Sequence, residues 1–319
     1  MEQKNKNKWL FSMLSLLLIT FYNRWLFWKT NIKKKSETHT FRYYHWKWGK
    51  IHYTVQGTGK PILLIHGIGA GNSSFEWHRN IKELKKHYCV YTIDLLGFGY
   101  SDKPKMTYTA FLYTQLIRDF IQDIIQEPTD VMASSLSCSF VTMACQQYPY
   151  LFKKLIFFVP AGVHQLAKYP TKIKRILRRG IEAPFFGTII YNCISSHLNC
   201  KSFLCKHAYY FPRNVTKKVI QKYYDAAHFG GPSGRYAIAS FIGDFMNVDI
   251  SNAFQELENP ILVIWGEEAK ILPLENLQHF QELRPHLQSA IIPRTRLLPH
   301  AEASSVVNEI CLSFLKQEK

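Results

Sequence analysis

Residues 63–104 read LLIHGIGAGNSSFEWHRNIKELKKHYCVYTIDLLGFGYSDKP. The stretch opens in an apolar run, Pro61–Ile65, that suits a strand buried on both faces. The run ends at His66-Gly67-Ile68-Gly69, where glycines let backbone N–H groups come close to a ligand. Helical spacing over Phe75–Lys86 follows, then a second strand over Val90–Leu95. That strand ends at Asp94 and the tight loop through Gly97 and Gly99, where Asp94 is expected to hold backbone amides.

The alternation continues outward. Residues 41–46 and 51–55 flank Trp48-Gly49-Lys50 as an antiparallel hairpin. Thr109–Gln126 has helical period, Val131–Ala133 is a short strand and Leu136–Gln147 a helix. Strands follow over Lys154–Val159, Ile261–Trp265 and Ser289–Pro293, and a helix over Ala303–Leu315 closes the pattern. The expected fold class is α/β: a mostly parallel twisted sheet flanked by helices, with ligands beyond the carboxyl ends of the strands. The alternation stops between Val159 and Pro260, where a basic, helical, aromatic-rich segment reads as a cap. The division is 1–39 membrane anchor and basic linker, 40–162 and 256–319 α/β core, and 163–255 helical cap. Within the cap, Lys172–Ile181 places Ile173, Ile176, Leu177 and Ile181 on one face of a helix, with the cations mostly on the other.

The 319 residues are 47% hydrophobic and 20% charged, a folded body rather than a disordered one. A net charge of +17 favours an anionic partner. Zinc-finger spacing, RNP aromatics and a basic helix-turn-helix are all missing, so the expected surface is membrane lipid and not nucleic acid. The seven cysteines are odd in number and without C-x-x-C spacing, which suits reduced thiols and no metal site. Trp9–Tyr22 is apolar and flanked by lysines. It falls short of the ~20 residues of a full span, but with the aromatics to Trp28 it reads as one uncleaved N-terminal anchor. The richer downstream charge puts the α/β body on the cytoplasmic face.

A serine-rich turn, Ala133-Ser134-Ser135-Leu136-Ser137, joins a strand to a helix, the context of a nucleophile elbow. Two frames fit small-x-Ser-x-small, one on Ser135 and one on Ser137.

From residue 40 onward the chain resembles the α/β-hydrolase superfamily. It is most similar to the capped branch of pheophytinase-like, haloalkane-dehalogenase-like and ring-cleavage-product hydrolases. Residues 63–104 carry the resemblance, with PILVIWG (260–266) and LLPHAEAS (297–304) as later landmarks. The resemblance implies a Pro about fourteen residues after the nucleophile, and Pro149 selects Ser135. It implies His300 as the base and the backbone N–H groups of Ile68 and Leu136 as oxyanion donors. A dehalogenase would carry Asp at position 135. The family pattern W-G-x-x-D-x-x-x-P has Ala269 at the acid, in Trp265-Gly266-Glu267-Glu268-Ala269. Glu268 is the nearest substitute, with Glu267, Asp244 and Asp249 as further candidates. The glycines of the elbow are also replaced, by Ala133, Ser137 and Cys138.

The implied function is a membrane-anchored serine hydrolase acting on a small apolar ester-like substrate, without metal or cofactor. The alternatives are a catalytically impaired binding or scaffold protein on the same fold, and a module whose main task is lipid contact through the basic cap.

Overall fold

The computed structural model describes residues 20–22, 25 and 41–317. The anchor expected over 1–39 falls almost wholly outside them. Among the described residues no helix is long and apolar enough to cross a membrane.

Eight strands form one sheet: β1 (Arg42–Trp46), β2 (Gly49–Gln56), β3 (Pro61–Ile65), β4 (Cys89–Ile93), β5 (Thr129–Ser134), β6 (Phe152–Phe158), β7 (Ile261–Gly266) and β8 (Gln288–Ile292). Their spatial order is β1-β2-β4-β3-β5-β6-β7-β8. The β1–β2 hairpin pairs antiparallel to β4, and every later pairing is parallel. The sheet is therefore mixed at one edge and parallel through its centre. Every residue of β3, β5 and β7 is buried, as the apolar runs of β3 and β7 and the Val131–Ala133 centre of β5 require when helices cover both faces.

The flanking helices are α1 (His78–Leu84), α2 (Ala110–Phe120) and α3 (Ser137–Gln147). Thr109 caps α2 by accepting from Leu112 N–H, and a single π turn over Ile121–Ile125 ends at Gln126 in the left-handed region. After β6 come six α-helices before the sheet resumes, the first five being α4 (Lys172–Glu182), α5 (Phe186–Ile194), α6 (His197–Phe203), α7 (Lys217–His228) and α8 (Arg235–Ile242). The chain ends through α9 (Ser251–Glu256), α10 (Asn276–Leu283), α11 (Pro299–Glu302) and α12 (Ser304–Lys316).

Arg296 and Glu302 fasten the helical insertion to the core. Arg296 Nη1 donates to the carbonyls of Cys205, Lys206 and Tyr209, and Glu302 Oε1 accepts from Tyr210 N–H at 2.7 Å. All seven cysteines are free thiols.

Candidate active site

The end of β5 turns sharply at Ser135, whose φ of +54° lies in the left-handed region that L-residues other than Asn and Asp seldom adopt. Ser135 N–H donates to Phe158 O at 2.8 Å, and its carbonyl accepts from Cys138 N–H at 3.1 Å as α3 begins. The neighbouring serines are committed elsewhere. Ser137 Oγ donates to His66 O at 2.6 Å and Ser139 Oγ to Ala161 O at 2.7 Å, both buried. Ser135 is half-buried and lines a cavity of about 540 Å³. Position and strain thus separate Ser135 from Ser137.

The loop after β3 lies against this turn. A Cβ built on Gly67 would stand 3.5 Å from Ser135 Cβ and 3.4 Å from Ser134 Oγ. Ile68, next in the chain, lines the same cavity. His66 is a fixture of the scaffold: its Nε2 accepts from Leu95 N–H at 3.1 Å, so Nδ1 carries the proton and donates to Gly67 O at 2.7 Å. Asp94 takes the role expected of it. It accepts from Ser74 N–H at 2.6 Å, from Tyr100 N–H at 2.8 Å, and lies 2.9 Å from His52 Nδ1. Burial works against its charge, but His52, then His66 and the Ser74 N–H, outweigh burial and hold the carboxyl well below its ordinary value. Gly99, at φ +50°, must be glycine, since a Cβ there would meet the Asp94 carboxyl at 2.3 Å.

His300 sits in α11 and is fully buried. Its ring stacks on Trp77 at 4.3 Å and meets Phe158 edge-on at 4.8 Å. Asn80 Nδ2 donates to His300 O at 3.1 Å. Phe158 touches both expected residues, accepting from Ser135 N–H through its carbonyl and meeting His300 with its ring. No hydrogen bond joins Ser135 to His300, and both ring nitrogens of His300 are buried without a hydrogen-bond partner.

The carboxylate in contact with His300 is Glu76, with Oε1 3.1 Å from Nε2 and both side chains fully buried. Glu76 Oε2 accepts from Gly67 N–H at 3.1 Å and from Asn72 Nδ2 at 3.3 Å. Burial pushes its carboxyl up. The close contact and charge of His300, then the nearby Ser134 hydroxyl and the charge of His66, outweigh that and hold it below the ordinary value. Glu76 lies in a short 3₁₀ turn, Ser74–Trp77, entered through a Ser73 side-chain cap. The sequence reading placed it in a helix and gave it no role. The available signal was an acid between Phe75 and Trp77, ten residues after His66, where an exposed helix face would not carry two aromatic neighbours.

Glu268, the substitute acid expected from sequence, is exposed, and its N–H donates to Thr295 O. It makes no contact with His300, because the strand–turn geometry after β7 turns its side chain to solvent. Ala269 is buried. Glu267 accepts from Arg294 N–H, Asp244 pairs with Lys174, and Asp249 caps Ser251. Cys138 is buried with its thiol on Ala133 O, and burial pushes it far above the ordinary thiol value, away from nucleophilic use. Among the described residues no three His, Cys, Asp or Glu gather to hold a metal ion.

The cavity at Ser135 lies between the core and the helical insertion. Ile194, Phe203, Ile238 and Phe241 line it from the insertion, and Leu297 from the core. Its polar groups include Asn199, Ser202 and His207, whose Nδ1 is buried without a hydrogen-bond partner. Among the described residues, the lining contains no Lys, Arg, Asp or Glu.

A family profile described as alpha/beta hydrolase fold matches residues 60–300. An uncharacterized protein of Mycobacterium tuberculosis is 33% identical over 111 residues, 35% of this chain and 32% of its own length. The chain thus aligns with about a third of the length of that curated relative. The 2-(acetamidomethylene)succinate hydrolase of Mesorhizobium japonicum is 22% identical over 248 residues, 77% of this chain and 84% of its own. Among solved structures, a serine hydrolase of carbazole degradation superposes with a TM-score of 0.72 at 20% identity, covering 86% of this chain and 98% of its own.

Proposed function

Because the chain belongs to the alpha/beta hydrolase fold family, we propose that it is a serine hydrolase acting on an ester-type carbonyl of a small apolar substrate. The observation that carries the reading is Ser135: it is held at positive φ between a strand and a helix and faces the cavity, while the hydroxyls of Ser137 and Ser139 are spent on carbonyls.

In this reading the Ser135 hydroxyl attacks the carbonyl carbon and passes its proton to His300. The N–H groups of Ile68 and Leu136 receive the oxyanion, with α3 adding the positive end of its dipole. The tetrahedral intermediate collapses, the leaving alkoxide takes the proton from His300, and water repeats the sequence on the acyl-enzyme. Glu76 replaces the acid absent at Ala269. In this reading Glu76 Oε1 stands against Nε2 of His300. Nδ1, which is buried without a partner, has to turn to Ser135 to take its proton, and the carboxylate balances the imidazolium. By holding Gly67 N–H it also fixes the loop that presents Ile68. The uncharged lining favours a neutral, apolar acyl or alcohol group over an anionic substrate.

A fluorophosphonate probe tests the proposal. Labelling that disappears in Ser135→Ala and persists in Ser137→Ala supports it. A folded protein that never labels would mean a hydrolase fold kept for binding, the reading that the loss of an acid at Ala269 favours.

A further inference from the structure

A helix on a protein surface ordinarily turns its apolar stripe inward and its charges outward. Helix α4 is reversed. Lys174 and Arg178, one turn apart, face the body. Lys174 Nζ donates to Ile242 O and to Asp244 Oδ1, each at 3.2 Å. Arg178 donates to Thr107 Oγ1 at 2.6 Å and to Glu182 Oε1 at 2.7 Å, and its guanidinium lies 4.3 Å from the centre of the Phe245 ring. The outer face carries Ile173, Ile176 and Leu177, which are 77%, 68% and 47% exposed, and only Ile181 of the expected apolar face is buried. The exposed apolar surface runs on through Phe185 and Phe186 into α5 and reaches Leu198 on α6, 79% exposed. Lys172, Arg175 and Arg179 stand exposed among these side chains.

We infer that helices α4–α6 dock on a lipid bilayer bearing anionic headgroups, with Ile173, Ile176, Leu177 and Phe186 entering the acyl boundary and Lys172, Arg175 and Arg179 meeting the phosphates. Apolar tips interleaved with cations match both layers of such an interface. A chain with net charge +17 is drawn to that surface before contact. Two of these helices also line the cavity from within: α5 gives Ile194 to the lining and Ile190 to the outside, while α6 gives Asn199 and Phe203 to the lining and Leu198 to the outside. The docking face therefore borders the cavity wall. On the proposed hydrolase reading, an apolar ester dissolved in the bilayer would reach Ser135 from this side.

The test uses the full chain with vesicles of phosphatidylcholine alone and of phosphatidylcholine with phosphatidylserine. Hydrogen exchange over residues 169–198 should slow on the anionic vesicles and far less on the neutral ones. The triple change Ile173→Asp, Ile176→Asp and Leu177→Asp, all on exposed positions outside the cavity, should abolish that slowing at unchanged circular dichroism, whatever residues 1–39 contribute to vesicle partitioning. Partitioning that proceeds without protection of 169–198, or protection that the triple variant leaves intact, overturns the inference and assigns binding to another part of the chain. Protection of this segment by self-association in the absence of lipid overturns it as well. Fluorophosphonate reaction of the triple variant in solution, expected unchanged, reports separately on the Ser135 site.

Discussion

Replacing Glu76 by Gln removes one charge from a fully buried pair while keeping the shape of the side chain. At the 3.1 Å separation from His300, Coulomb's law with an effective dielectric near 20 gives about 5 kcal/mol between full charges. The full interaction is realised only when His300 carries the proton of Ser135, so it acts on the transition state more than on the resting enzyme. The Gln amide recovers part of it as a dipole. A loss of about 3–4 kcal/mol, or roughly 10²–10³ in rate, is expected. Glu76 does not line the cavity, so KM should stay within about threefold while kcat falls. The assay is steady-state hydrolysis of a short p-nitrophenyl ester beside the second-order rate of fluorophosphonate labelling, with denaturant unfolding to show that the variant is folded. Glu268→Gln is the control; its exposed side chain predicts a rate within about twofold of the parent. A folded Glu76→Gln protein that keeps its kcat, or a collapse in Glu268→Gln instead, would refute the assignment of the acid.

Ala269→Asp in the Glu76→Gln background should recover at least ~10-fold of the lost labelling rate by supplying a carboxylate at the family position; an unchanged rate in a folded double variant would place Ala269 out of reach of His300. Ser137→Ala should cost about 1–2 kcal/mol of stability for its buried bond to His66 O, read by urea unfolding, while labelling continues. Gly99→Ala should cost about 3 kcal/mol or more, since its methyl group would enter the Asp94 carboxyl at a left-handed φ. His78 and His228 are held below the ordinary imidazole value, chiefly by burial. The unfolded chain therefore takes up protons near pH 6.5 that the folded chain refuses, and stability should be level above that pH and fall below it. Urea unfolding at about pH 7.5 and 6.0 checks the sign, and His228→Asn, which keeps a donor for Tyr224 O, should flatten the slope.

The core of the fold was legible because burial on both faces forces continuous apolar runs. Pro61–Ile65 and Ile261–Trp265 announce themselves as central strands, and the punctuation at their ends locates the loops that carry polar groups. The elbow was legible in outline, yet two serine frames fitted the local pattern. The family spacing to Pro149 favours Ser135, but the physical grounds, the backbone conformation of Ser135 and the committed hydroxyl of Ser137, have no sequence signature. The face of α4 was misleading for a related reason. Periodicity reveals that a helix has two faces but not which one meets the protein; Asp244 and Thr107, far off in sequence, turn the cations inward.

Glu76 was illegible for a deeper reason. A search for a missing acid naturally stays near the strand end where the family keeps it, and the acids near Ala269 proved to be solvent-facing or engaged in local turns. An ion pair has no chain-order requirement, however; it needs only that folding deliver a carboxylate to the imidazole with its remaining lone pairs satisfied. The turn after β3 meets that condition, because Gly67 N–H and Asn72 Nδ2 already point at Glu76. On the proposed reading, an acid placed there also couples two tasks that are separate when it follows β7. One carboxylate faces His300 through Oε1 and holds the loop of Ile68 through Oε2. Loss of that charge should therefore weaken proton transfer and oxyanion binding together, and Glu76→Gln combined with a loop change at Ile68 should cost less than the sum of the two alone.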